Sequence, residues 1–195
     1  MSKIDERNID PIEEMTRVAQ RFLDLGLWGF KESYRSAKSG NLIYDSERCR
    51  VSLVWGGWDY GGGNSISIYY GRLHAPNEET TMIWNGEECR CWHDIDDALH
   101  FLDRQTPADA AKLDYSHSIT DPFYEEEFRK KYHRRQPEWL AQMHATIWQH
   151  YGKRFFELFD LRQPDLWEKY RQFLKEVYDL KGRRPYIKPP LDKVC

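Results

Sequence analysis

The 195-residue chain lacks any apolar run near the ~18 residues that a membrane-crossing helix needs. It has no Asn-x-Ser/Thr acceptor for N-glycosylation, no internal repeat and no low-complexity tract. The opening segment, MSKIDERNIDPIEEM, carries alternating charges around no apolar core, unlike an export signal. Cysteine is scarce: Cys49, Cys89, Cys91 and Cys195. Cys89 and Cys91 are too close to bridge each other comfortably and no export signal is seen, so reduced thiols in a cytoplasm are expected. A cysteine with no three residues after it is not a prenylation box. No nucleophile elbow, phosphate loop, Ser-x-x-Lys or His-Glu-x-x-His motif occurs.

Charge of one sign is also missing. The formal net charge is -3, and the halves differ mildly: 12 Lys+Arg against 18 Asp+Glu over residues 1–106, and 17 against 14 over 107–195. Acids interleave the basic half, so no continuous phosphate-tracking stripe forms and nucleic acid is not the expected partner.

What the chain has in plenty is aromatic rings. Mean hydropathy is -0.84, which reads as too polar for a packed domain. Eight Trp, twelve Tyr and nine Phe, 15% of the chain, reverse that reading, because each buries a large ring that hydropathy scales undervalue. Disorder is excluded on the same ground.

Asp10, Pro11 and the acids Glu13 and Glu14 signal a helix start, and Ile12, Met15, Val18, Ala19, Phe22 and Leu23 form its stripe up to Gly26. The period then changes to two. Cys49, Val51, Leu53 and Trp55 alternate with polar residues, as do Ile66, Ile68 and Tyr70, and Leu42 with Tyr44 marks a further strand. Ser39-Gly40-Asn41 reads as a hairpin turn. Asn85-Gly86 between alternating runs demands a two-residue hairpin that pairs Trp84 with Glu87, Met82 with Cys89 and Thr80 with Cys91. A helix capped by Asp94 follows, with Ala98, Leu99 and Leu102 inward. Beyond residue 107 the pattern is helical: Tyr124, Phe128 and Tyr132; a helix opened by Pro137 with Leu140, Met143, Ile147 and Tyr151 inward; Phe155, Phe156 and Phe159; and a last helix from Pro164 carrying Leu166, Tyr170, Phe173, Leu174 and Val177.

The fold class expected is α+β: an antiparallel sheet of five or six strands with helices on one face, plus a C-terminal helical extension. Residues 1–106 form the sheet domain and 107–195 the extension packed on it, with an irregular Pro-rich tail from about residue 183.

Cys89-Arg90-Cys91-Trp92-His93 has the ligand types zinc prefers, but a strand rises ~3.3 Å per residue and separates Cys89 from His93 by ~13 Å. No metal, cofactor or catalytic residue is therefore assigned. Asp94, Asp96 and Asp97 suit the positive end of a helix. The least ordinary stretch is Trp55-Gly-Gly-Trp58-Asp59-Tyr60-Gly-Gly-Gly-Asn64, aromatics displayed on a relaxed backbone, which is the composition of a recognition loop. The candidate binding residues are Trp55, Trp58, Asp59, Tyr60, Tyr69, His74, Trp92 and His93.

Phe22-Leu23-x-Leu25-Gly26, Gly29-Phe30, Ile43-Tyr44-Asp45-Ser46, Cys49-Arg50-Val51-Ser52-Leu53 and Ile68-Tyr69-Tyr70-Gly71-Arg72-Leu73 resemble a pattern in uncharacterised bacterial α+β proteins. Some of those are similar to the small immunity proteins of bacterial toxin systems. The resemblance covers residues ~20–73, about a quarter of the chain, and transfers no functional residue. The one-sided sheet, the aromatic Gly-rich loop and the lack of any catalytic motif point to a non-catalytic, cytoplasmic protein-binding module, immunity-like or an adaptor, whose partner is another protein and not a membrane. The alternative is a small-molecule-binding protein or enzyme with a site near His74, Cys91 and His93.

Overall fold

In the computed structural model, which describes residues 10–25, 29–55, 66–79, 81–84, 86–103, 106–112 and 137–182, the Asp10 carboxylate caps the first helix by accepting from the Ile12 amide at 2.9 Å. Helix α1 (Pro11–Asp24) then buries Met15, Val18, Ala19 and Phe22, the stripe its spacing sets out. Five strands form an antiparallel sheet in the order β1-β2-β3-β4-β7: β1 (Lys31–Ser36), β2 (Asn41–Asp45), β3 (Cys49–Trp55), β4 (Ile66–Arg72) and β7 (Trp92–His93). Gly40 makes the β1–β2 turn at a φ of 58°, a conformation open to glycine.

Strands β5 (Thr81–Trp84) and β6 (Glu87–Arg90) pair in the expected register, Trp84 with Glu87 and Met82 with Cys89. They form a two-stranded hairpin of their own instead of extending the main sheet. Thr80 and Asn85 lie outside the described residues. Six helices are described: after α1 come α2 (Ile95–Leu102), α3 (Pro107–Lys112), α4 (Pro137–Tyr151), α5 (Lys153–Glu157) and α6 (Pro164–Leu180). The chain is thus of the α+β class. The stripe Tyr124, Phe128, Tyr132 and the Pro-rich tail lie outside the described residues, as does Trp28, which with Phe30 and Tyr34 reads in the sequence as the first strand.

The two faces of the sheet are covered differently. Leu42, Tyr44, Cys49, Val51, Leu53, Ile68 and Tyr70 share one face and join a single core with the stripes of α1, α2, α4, α5 and α6. Rings dominate it. Tyr70 meets Phe155 edge-on at 4.7 Å between centroids and stacks with Phe159 at 5.9 Å. Residues from both halves of the chain build this one core, from Met15 to Val177.

The opposite face was expected to be the polar one, and it is polar but not bare. Residues 73–79 cross it as a strap whose carbonyls are taken up by side chains from the sheet. Arg50 donates to the Ala75 carbonyl, Trp92 Nε1 to Pro76 at 2.9 Å, Asn41 Nδ2 to Asn77 at 2.7 Å and Cys91 Sγ to Glu79 at 3.1 Å. The Glu78 carboxylate accepts from Tyr34 and from Ser39, tying the strap to β1 and its turn. Ile43, Ala75, Cys91 and Trp92 form a small apolar cluster beneath. Gly71 is what allows so close an approach: a Cβ there would stand 2.7 Å from the Cys91 carbonyl oxygen and 3.1 Å from the Ala75 Cβ.

Candidate functional site

Strand β7 ends the sheet, and its two residues point to opposite sides. Trp92 turns to the strap, where its indole is satisfied by Pro76. His93 turns to the helices, where its ring lies 5.4 Å from that of Trp167, 5.2 Å from that of Tyr170 and 6.0 Å from that of Phe159. Strict alternation puts Cys91 on the His93 side. A bend at Cys91 breaks the period and sends its thiol to the strap-side cluster instead. Cys91 and His93 therefore face opposite sides of the sheet.

Of the candidate binding residues, Tyr69 and Trp92 come together under the strap, and His74 sits exposed on the strap itself. Trp55 is half-buried at the other end of β3, against the main core. His93 belongs to the helix side. Trp58, Asp59 and Tyr60 lie outside the described residues.

A second group, missed in the sequence, adjoins His93. Asp94 caps α2, its carboxylate accepting from the Asp97 amide at 2.9 Å. The Asp97 carboxylate in turn accepts from Tyr178 at 3.0 Å, and Arg90 of β6 donates to the Tyr178 hydroxyl at 2.8 Å while standing 3.8 Å from Asp97. Burial, then the Asp94 carboxylate, push the Asp97 carboxyl up to about 8, against the pull of Arg90 and Tyr178. Desolvation here outweighs the helix-end attraction that the row of aspartates suggested. Burial likewise drives His93 down to about 3, with the Arg90 charge assisting, and raises the Tyr170 hydroxyl well above its usual range.

On the far side of Trp167 lies Arg72, 1% exposed, its guanidinium carbon 5.1 Å from the indole centroid. Its Nη2 reaches the Asp160 carbonyl at 3.5 Å. The Asp160 carboxylate is engaged by Arg162, at 2.7 Å in its shortest contact, which holds it below the ordinary carboxylate range. A polar seam thus runs from Arg90 at one surface, through His93, Tyr170 and Trp167, to Arg72 and out to Arg162. One signal for Arg72 was present: the set Ile66, Ile68, Tyr70 extended by one step places position 72 on the core face. His144, which shares a 2.6 Å hydrogen bond with Tyr70, likewise follows Leu140 by four residues.

Among the described residues, no three His, Cys, Asp or Glu side chains gather where they could hold a metal ion, and no helix is long and apolar enough to cross a membrane. The site and sheet define an α+β protein with a buried polar seam at its sheet edge. No protein-family model matches the chain, and no curated protein or solved structure shows significant similarity to it.

Proposed function

We propose that this chain is a non-catalytic protein-binding module acting in the cytoplasm, comparable to an immunity or adaptor protein. One observation carries that choice over an enzyme built on His74, Cys91 and His93: the acid–base character of its buried groups runs opposite to what thiol catalysis needs. Burial pushes the Cys49 and Cys91 thiols up to about 12, whereas a nucleophilic cysteine has its thiol depressed. His93 and His144 are both driven to about 3, so neither supplies an imidazolium near neutral pH. Cys91 also faces away from His93, toward the strap.

The contact surface proposed is the Gly-rich segment with Trp58, Asp59 and Tyr60, joined by Trp55 at its root. Trp and Tyr supply contact area with few torsions to freeze, the property shared by interface anchors. Its partner is another protein. The test places a photo-crosslinking amino acid at Asp59 of the full chain in its native cells and identifies what is trapped. One defined protein, lost when Trp58→Ala and Tyr60→Ala are combined, is the expected result. Undiminished trapping by the double variant overturns the loop as the contact surface.

A further inference from the structure

Three residues in the seam leave hydrogen-bonding capacity unused. His93 Nδ1 and Nε2, Trp167 Nε1 and the Tyr170 hydroxyl each expose less than 1 Å²; the Trp167 and Tyr170 groups meet no hydrogen-bond partner, and the His93 ring has only the Arg90 backbone to engage one of its nitrogens. They are not scattered: the three rings are in mutual contact, with centroids 5.2 to 5.8 Å apart. Folded chains satisfy nearly all such buried groups, so three unmet atoms on three touching side chains, the Trp167 indole nitrogen, the Tyr170 hydroxyl and the second His93 nitrogen, mark a place built for something else to bind. We propose that His93, Trp167 and Tyr170, with Arg72 behind them, form a binding site for a small oxyanion, a carboxylate or a phosphate group.

The donor set selects the ligand class. An indole nitrogen only donates, a tyrosine hydroxyl donates readily, and a neutral imidazole offers one N–H. With the His93 N–H turned to the Arg90 backbone, the site presents two free donors, Trp167 Nε1–H and the Tyr170 hydroxyl, and the Arg72 guanidinium at 5.1 Å from the Trp167 ring adds positive charge. A cation would be repelled by the buried Arg72 guanidinium, and an apolar ligand would leave the donors unmet. The remaining imidazole nitrogen accepts from a protonated oxygen of the same ligand, as in hydrogen phosphate. Burial raises the carboxyl of Asp97, the acid that acts most strongly on the Tyr170 hydroxyl, which weakens its repulsion of an anion; Asp94 is the next acid to act there. The β5–β6 hairpin leads into β7, which carries His93. Polar contacts tie that hairpin to α6, Glu87 to Arg171 at 3.3 Å and to Lys175 at 3.9 Å, and Arg90 to Tyr178 at 2.8 Å.

The test uses the full chain and thermal unfolding with inorganic phosphate or with acetate, each against sodium chloride at matched ionic strength. A saturable rise with one of them is expected, ~5 °C at a hundredfold excess over Kd, and which of the two gives it distinguishes phosphate from carboxylate. Tyr170→Phe removes one unpaired hydroxyl at constant shape. Its ligand-free Tm should match or exceed that of the parent, and its affinity for the oxyanion should fall ~10-fold. In the unsubstituted protein, the Trp167 indole N–H resonance should move with the same titration midpoint. The proposal is overturned if neither anion gives a saturable shift, if the indole resonance stays still, or if Tyr170→Phe binds as tightly as the parent. A fall in ligand-free Tm for Tyr170→Phe, meaning that water or protein already satisfies the hydroxyl, overturns it as well.

Discussion

The helix-covered and strap-covered faces of the one sheet are stabilised by different physics. On the helix side, Tyr70, Phe155, Phe159 and Trp148 pack ring against ring, and stability there scales with apolar area removed from water. On the strap side, little apolar area is available. The cover is a length of irregular backbone, and what holds it is the pairing of its carbonyls with Arg50, Trp92, Asn41 and Cys91. Irregular backbone laid on a protein surface carries carbonyls that must be satisfied, and this sheet meets that demand with the polar residues of its second face. The polar half of the alternation is therefore structural, not a solvated surface.

The difference is sharpest where one face loses volume. Phe155→Ala removes a fully buried ring that contacts Tyr70, Phe156 and Phe159. Lost transfer free energy and the cavity together should cost ~3–5 kcal/mol, read as a fall in the urea midpoint with an unchanged slope. The strap side offers no substitution of that size. There the largest effect expected is from Arg50→Leu, which deletes the bond to the Ala75 carbonyl and the 2.8 Å pair with Asp45. A charged donor lost from a buried acceptor should cost ~1.5–3 kcal/mol by the same measurement. If Arg50→Leu proves as damaging as Phe155→Ala, the division between the two faces fails.

Local chemistry was legible in the sequence, and long-range pairing was not. Asn85-Gly86 sets the hairpin register because a two-residue turn leaves no alternative, and the stripe of α1 follows from helical spacing alone. The strap could not be read, since Asn41 and Asn77 are 36 positions apart and Arg50 and Ala75 are 25 apart, with no periodicity linking them. Cys91 and His93 were placed together by alternation, which a single bend undoes. The seam was hidden for a related reason. Trp167 sits between the periodic residues Leu166 and Tyr170 and reads as one more helix position, until α6 brings it against His93 and Arg72. A buried carboxylate such as Asp97 is equally silent, because the same residue serves an exposed first turn.

The smallest effect distinguishes a bond from a ring. Trp92→Phe keeps an aromatic beneath the strap, against Ile43 and Ala75, and deletes only the Nε1 donor to the Pro76 carbonyl. Global stability should fall by ~1 kcal/mol, near the net worth of one neutral hydrogen bond. The consequence should be local. The Ala75 amide, bonded to the Arg72 carbonyl at 2.8 Å, lies within the strap and should exchange its hydrogen faster once the carbonyl beside it is released. The amides of α4, on the opposite side of the sheet, should keep the protection of the parent after correction for the global change. Acceleration confined to the strap means that its carbonyl bonds are what hold it down. Equal acceleration on both faces would mean that strap and helices open as one unit, and that the two covers share a single cooperative stability despite their different chemistry.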